Sequence, residues 1–248
     1  DYAKGVEYFD KLFAEADADR LIAIDHLFAG LANVETGNID KGVTNLAKSL
    51  EKDSLMMPEI GSAGILAFSE GKYDVAAAIF AIPAQQKGTD FYYEANYLLG
   101  EANFRAGSAK KEKEEDATKE LNASLAALSI LTNSTDQKVL DEYLLKALYM
   151  TGFANLNLDT VDPEQPELVQ GLYLPAFNQL IKILKDKKAT GYEYTEDDIS
   201  KLTDAYNQVG YYYILKEDYP KAIEYFKNTL VVNPTDETAQ QMVDALKG

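Results

Sequence analysis

The sequence has no cysteine and no tryptophan, and its only histidine is His26. Without cysteine there is no disulfide bond, no thiolate nucleophile and no cysteine-ligated zinc. A single histidine supplies neither a ligand cluster nor the usual nucleophile–base pair, so we expect His26 to be a packed core residue. No phosphate-binding loop, dinucleotide fingerprint or EF-hand spacing is present either. We therefore predict no catalytic residue, no metal site and no cofactor.

Basic residues and long apolar runs are also scarce. The chain has 24 lysines and arginines against 41 aspartates and glutamates, a net charge of −17. Nucleic acid is normally met by a basic face, so we expect no nucleic-acid partner. The longest apolar run, from Val75 to Ala84, is too short to cross a bilayer, and we expect no membrane insertion. The sequence leaves open whether this soluble chain is cytoplasmic or exported, for example to a periplasm.

Near the C-terminus the chain carries a regular set of small and large residues. Tyr206, Val209 and Tyr213 are spaced three and four apart, as residues on one helix face are. The next two have the spacing of a second helix, and the last is a proline, before which a helix usually ends. The seven positions are Tyr206, Val209, Gly210, Tyr213, Ala222, Phe226 and Pro234.

This set resembles the tetratricopeptide repeat (TPR), whose 34-residue consensus is W-x2-L-G-x2-Y, then A-x3-F, then P. A tyrosine replaces the consensus tryptophan and a valine the leucine. The glycine recurs upstream as Gly30 and Gly64, which lie 34 residues apart. The resemblance implies an all-α fold, a right-handed α-α superhelix of the TPR-like solenoid type. We expect about five helix pairs and a C-terminal capping helix.

We expect one continuous array over residues 1–248. It starts with the second half of a repeat, in which Gly5 and Phe9 occupy the alanine and phenylalanine positions, so we expect at least one more helix before Asp1. Thr195 with Asp198 predicts a helix N-cap in front of the last repeat. The predicted units are a half repeat 1–18, full repeats 19–56, 57–89, 90–135, 136–190 and 196–234, and a capping helix 235–248.

Repeat 90–135 has an enlarged turn. Its charged run from Ser108 to Asp116 predicts a solvated helical extension. Either Ala117 or Leu121 would then occupy the alanine position. In the repeat before it, Pro83 is expected to interrupt or kink the second helix.

Repeat 136–190 contains a second insertion. Gly152 is its packing glycine, and Ala176 is predicted at the alanine position, with Leu180 at the phenylalanine position. The residues from Asp159 to Gln170 are then a long loop, which we expect to lie outside the packed core or to fold over one face. In the last repeat we expect Gly210 to face Ala222.

In arrays that this chain resembles, the first helices line a concave groove. The groove positions lie six and three residues before, and one and four residues after, each packing glycine. Here they are largely apolar and aromatic, so a clamp for acidic tails is not assembled and an apolar segment fits better. In the first two full repeats they are Ile24, Leu27, Leu31, Val34, Pro58, Gly61, Ile65 and Phe68. In the later repeats the expected peptide-binding residues are Tyr97, Glu101, Phe104, Lys146, Tyr149, Phe153, Asn207 and Tyr211.

The resemblance implies a non-enzymatic protein–protein interaction scaffold that binds a peptide or a helical segment of another protein. The alternative is a structural or regulatory repeat segment of a larger chain or assembly, which docks on neighbouring domains. A third interpretation, a hydrolase or small-ligand binder built on a helical array, has no motif in its favour. It also stays open whether the groove aromatics are exposed or pack against neighbouring helices, as an aromatic stripe at helical spacing often does.

Overall fold

The computed structural model describes residues 1–159 and 164–247, in which the chain is helical and contains no β-strand. It divides into two compact units, the first Asp1–Leu131 and the second starting at Thr132. The first unit contains α1 Tyr2–Glu15, α2 Ala23–Glu35, α3 Ile39–Lys52, α4 Met57–Ser69, α5 Tyr73–Phe80, α6 Phe91–Lys111 and α7 Thr118–Thr132. The second unit contains α8 Gln137–Glu142, α9 Leu144–Leu158, α10 Leu174–Ala189, α11 Glu196–Leu215, α12 Tyr219–Val232 and α13 Glu237–Ala245.

Consecutive helices pack as pairs in both units. In the first unit α1 packs on α2, and the pairs are α2 with α3, α4 with α5 and α6 with α7. In the second unit α9 pairs with α10 and α11 with α12, while α13 packs on α12. Ala239 and Val243 of α13 join the core around Phe226, so α13 covers the last pair as a capping helix does.

The packing glycines lie against the phenylalanine position of the paired helix. A Cβ added to Gly64 would be 2.5 Å from the Phe80 ring, and one on Gly210 would be 2.9 Å from the Phe226 ring. Because no side chain occupies that space, the large residue fills it and the two helices stay close. The atoms nearest to a Cβ on Gly210 thus belong to Phe226, which lies four residues after Ala222 on the paired helix.

The structure corrects the predicted register of both enlarged repeats. A Cβ on Gly100 would contact Leu128, so Leu128 occupies the phenylalanine position of this repeat. The alanine position lies four residues earlier, at Ser124. The two predicted residues for that position, Ala117 and Leu121, are therefore wrong. Ser124 instead donates a hydrogen bond of 2.8 Å to the carbonyl of Gly100.

In the other enlarged repeat a Cβ on Gly152 would contact Phe177. The alanine position, four residues before the residue that covers the glycine, is therefore Tyr173, and the prediction of Ala176 is wrong. The phenylalanine position moves with it, from Leu180 to Phe177. A bulky residue thus occupies a position that the consensus keeps small.

Two further local predictions also change. The charged run is helical only to Lys111, where α6 ends, and continues as a turn before α7 begins at Thr118. Pro83 does not kink a helix: α5 already ends at Phe80, and Pro83 begins a short 3-10 turn. The proline ring fixes φ and removes an amide donor, which suits the first position of such a turn.

His26 is a core residue, as predicted. Its side chain is buried, and its Nδ1 lies 3.2 Å from Oδ1 of Asn45 on α3. Its ring also packs on Phe13 of α1, with 4.9 Å between the ring centroids. These contacts join the first three helices.

The described part of the loop before α10 folds over the C-terminal end of α11. Lys216 donates hydrogen bonds to the carbonyls of Pro166, at 2.9 Å, and Val169, at 2.8 Å. Asp159 is buried and accepts the amides of residues 170–172 at 2.9, 2.6 and 3.0 Å. The loop thus lies over one face, although Val169 is itself buried. Residues 160–163, which the prediction included, lie outside the described residues.

We expect the protein to lose stability at alkaline pH through tyrosines of the second unit. Burial raises the pKa of Tyr206 to about 12, and it raises the pKa values of Tyr173 and of Tyr149, which also bonds Asp204. These tyrosines have a higher pKa in the folded protein than the value of 10.0 expected in the unfolded chain. Their contribution to the free energy of unfolding is therefore fully present below pH 10, and it is lost as the pH rises through their folded pKa values.

Circular dichroism recorded together with tyrosinate absorbance should show that exposed tyrosines ionise near pH 10 without unfolding, and that at higher pH the buried ones ionise and helicity is lost in one step. Tyr206→Phe should shift that step to higher pH, whereas Tyr8→Phe, at an exposed position, should not. Ionisation of the buried tyrosines without loss of helicity would contradict the expectation.

Candidate functional site

Large exposed apolar side chains gather on the first helices of the first unit. Phe28 on α2 is 50% exposed, and Ile65 and Leu66 on α4 are 53% and 51% exposed. Ile24 of α2 and Phe91, the first residue of α6, are also exposed. A group of such residues on one side of a helical unit is typical of a contact surface, whereas single exposed apolar residues are common.

Two clefts lie beside α4. The first, of about 380 Å³, separates α2 from α4 and includes Leu31 and Leu66 in its walls. The second, of about 210 Å³, separates α4 from α6 and includes Ile65 in its walls. Pro58 and Ser62 contribute to both, so α4 forms a ridge between them. We call this surface, made of α2, α4 and the start of α6, the α4 face.

Carboxylates border the α4 face. Glu59 and Glu94 are exposed at the two clefts, and no lysine or arginine of the described chain forms an ion pair with either. The neighbouring cation, Lys72, lies 2.7 Å from Glu70 and 3.7 Å from Glu35. The pKa of Lys72 is raised, mainly by its hydrogen bond with Glu70. Lys72 therefore stays charged and remains paired with these two carboxylates. The border is therefore acidic overall.

Three of the predicted binding residues lie on α6. Tyr97, Glu101 and Phe104 are all half-buried, so each presents part of its side chain to solvent. Glu101 lies 3.7 Å from Arg105 one helical turn later.

The predicted residues on α9 are engaged in the packing of the second unit. The Tyr149 hydroxyl donates a hydrogen bond of 2.5 Å to Asp204 on α11. Phe153 packs edge-on against Phe177, with 5.3 Å between centroids, and Tyr149 packs on Phe153. Lys146, at the start of the same helix, is exposed. These aromatics thus connect neighbouring helices, the alternative that the sequence left open.

The predicted residues on α11 are similarly engaged. Asn207 is buried, accepts a hydrogen bond of 2.8 Å from Thr229 and contacts Asp236 at 3.5 Å. Tyr211 is half-buried and packs edge-on against Phe226 at 5.3 Å. Both side chains connect α11 to the helices that follow it.

Sequence reasoning missed Phe28, Leu66 and Phe91. None of them occupies one of the four groove positions, although Phe28 and Leu66 lie only two residues from Gly30 and Gly64. Their size was the available signal, since a large apolar residue next to a groove position widens the apolar stripe of a helix. Exposure itself depends on the neighbouring helices, which the sequence positions do not describe.

The described residues contain no cluster of three or more side chains suited to hold a metal ion. None of the helices in those residues is long and apolar enough to cross a membrane.

The sequence matches no protein-family model and no curated protein. Its structure is similar to the C-terminal part of a TPR repeat-containing protein from Cytophaga hutchinsonii, with a TM-score of 0.57 and 18% sequence identity. The similarity covers 98% of this chain and 81% of that chain. Together with the paired helices, it shows that the chain has an all-α, TPR-like fold. At that identity the likeness concerns the fold alone.

Proposed function

We propose that the protein is a non-enzymatic scaffold that binds an apolar peptide or helical segment of another protein on the α4 face. The observation that carries the proposal is the pair of exposed residues Ile65 and Leu66 on a ridge between two clefts. The TPR-like fold supports it, because helical repeat arrays present extended surfaces to protein partners. The first helices would form a groove continuous with the predicted residues Tyr97, Glu101 and Phe104.

The spacing of the two clefts indicates how far apart the apolar anchors of the bound segment should be. Packed helices lie about 8–10 Å apart, so clefts on the two sides of one helix are separated by a similar distance. Two apolar anchors about 10 Å apart are seven residues apart on a helix. In an extended chain they are three residues apart. With the acidic border, the preferred segment has two apolar anchors and at least one basic residue beside them.

The other predicted residues would act indirectly. Tyr149, Phe153, Asn207 and Tyr211 hold neighbouring helices of the second unit in place, and Lys146 is the exposed member of that group. We assign them a positioning role in the scaffold, with no direct contact to the segment that binds on the α4 face.

The alternative function, a repeat segment that docks on neighbouring domains of a larger assembly, has one observation in its favour. None of the residues of α1 is fully buried, and Tyr2 and Tyr8 are 56% and 64% exposed. A surface of this kind is available to another domain.

The test is a selection of peptides from a displayed random library against the whole chain, followed by affinity measurement. We expect Ile65→Glu and Leu66→Glu each to weaken the selected peptides by at least about tenfold, because a charge then faces their apolar anchors. Val231→Glu is the matched control, since Val231 on α12 is also exposed and apolar. Circular dichroism of all three variants checks the fold.

Selected peptides that bind all three variants as well as the parent chain would refute binding on the α4 face. If Tyr8→Glu alone then reduced binding, the surface of α1 would be the contact and the docking alternative would be favoured.

A further inference from the structure

A third cleft, lined by residues other than those of the α4 face clefts, lies among α5, α6 and α7 and has a volume of about 780 Å³. Its size is within the range of small-molecule sites, which are mostly apolar with a few placed polar groups. Much of its wall is methyl groups, from alanines on α5 and the turn after it and from alanines on α7. These include Ala77, Ala81, Ala84, Ala123, Ala126 and Ala127. We call it the alanine cleft.

The charged groups of the alanine cleft are gathered at one end. Asp74 lies at the start of α5, Lys119 and Glu120 lie at the start of α7, and Lys110 lies at the end of α6. Because α6 runs antiparallel to its neighbours, its end meets their beginnings. The alanines further along α5 and α7, together with Ile130, leave the rest of the cleft mainly apolar.

Glu120 has an unused hydrogen-bond acceptor. The residue is only 7% exposed, and its Oε1 lies 2.8 Å from the Lys110 ammonium. Its Oε2 is buried and has no hydrogen-bond partner. A buried polar atom without a partner costs free energy, and the cost is larger for a charged group. Glu120 is itself one of the residues that line the alanine cleft.

The Glu120 carboxyl and the Lys110 amine both stay charged near neutral pH. The hydrogen bond from Lys110 lowers the pKa of Glu120, and the hydrogen bond to Glu120 raises the pKa of Lys110, with a smaller effect of Asp74 in the same direction. Lys110 is therefore committed to Glu120, whereas Oε2 of Glu120 and the exposed carboxylate of Asp74 can accept from a ligand.

We propose that the alanine cleft is a second binding site, for a small amphiphilic molecule with a protonated amine at one end and an apolar chain. The amine donates to Glu120 and Asp74, and the chain lies along the alanine methyl groups. Among the described residues that line the cleft, the remaining charged one, Lys119, is exposed at the rim. A cation is favoured over an anion because Lys110 is already paired and the whole chain carries a net charge of −17.

Three six-carbon probes test the proposal: hexylammonium, hexanol and hexanoate, each titrated into the isotope-labelled whole chain. The readout is the NMR shift of the methyl groups of Ala77, Ala81 and Ala127. We expect hexylammonium to bind about tenfold more tightly than hexanol at these methyls, and hexanoate to shift them least. The methyls of Ile65 and Leu66 report separately on the α4 face.

Two variants assign the binding to this cleft. Glu120→Gln should weaken hexylammonium by about tenfold, whereas Glu224→Gln, at an exposed position on α12, should leave it unchanged. Ala126→Leu fills the cleft from an exposed helical position and should abolish the shifts even if Glu120→Gln perturbs the fold. Equal binding of all three probes, or hexylammonium binding that both variants leave intact, would overturn the proposal. Because the peptide is proposed to bind on the α4 face, neither result bears on that proposal.

Discussion

Replacing Phe177 with alanine is expected to lower the free energy of unfolding by about 4 kcal/mol. The side chain is fully buried in the second unit, where its ring covers Gly152 and packs edge-on against Phe153 and Tyr173. Removing the ring loses its burial and leaves a cavity that the rigid helix pair cannot close. Denaturant unfolding followed by circular dichroism measures the change.

The same contact can be tested from the glycine. A Cβ on Gly152 would lie 2.6 Å from Cδ1 of Phe177, so Gly152→Ala overpacks the pair and should cost about 1–3 kcal/mol. Adding Phe177→Leu to Gly152→Ala should recover part of that loss, since leucine is smaller than phenylalanine and relieves part of the overpacking.

Gly61→Ala is the matched control for the glycine. No atom lies within 4 Å of an added Cβ there, and alanine is the better helix former, so this variant should gain about 1 kcal/mol. Strictly additive effects of Gly152→Ala and Phe177→Leu would show that the two positions are not in contact.

Asp159→Ala is expected to destabilise the protein by about 3 kcal/mol. Its buried carboxylate accepts three consecutive amides, from Gln170, Gly171 and Leu172. Without it those amides lose their acceptor, and the chain that leads into α10 loses its attachment to the end of α9. Thermal unfolding and amide hydrogen exchange at residues 170–172 measure both effects.

Three comparisons separate the carboxylate from general effects of substitution. Asp159→Asn keeps one acceptor oxygen and should cost less than Asp159→Ala. Lys216→Met removes the two hydrogen bonds to the loop from the other side and should cost about 1–2 kcal/mol. Asp244→Ala, at an exposed position, should be neutral. A loss at Asp159→Ala no larger than at Asp244→Ala would mean that the loop is not held by this carboxylate.

The sequence predicted the helix pairs because each pairing needs only a local pattern. A glycine, a large residue 16 positions later and a turn between them recur at Gly30, Gly64 and Gly210, and the structure has a helix pair at each. The N-cap at Thr195 was equally local: its hydroxyl accepts the amide of Asp198, and the Asp198 carboxylate accepts the amide of Thr195. Interactions within a few residues can be predicted without knowing the rest of the fold.

The sequence predicted the enlarged repeats less well. Insertions carry the large residue to 25 positions after Gly152 and 28 after Gly100, so the constant spacing no longer identifies it. Several residues on each second helix then fit a 3.6-residue period equally well, and only contact across the pair selects Phe177 and Leu128. The Asp159 contacts had no local signal for a similar reason, because the acceptor and its amides are separated by the insertion.

The sequence by itself determined that the chain forms paired helices around packing glycines, with no catalytic or metal-binding motif. Only the tertiary structure decided which apolar side chains stay accessible. Tyr149 and Ile65 both occupy predicted groove positions, yet Tyr149 bonds Asp204 while Ile65 is exposed. The physical reason is that helical periodicity specifies the direction of a side chain relative to its own helix, whereas exposure depends on what the neighbouring helices place in front of it.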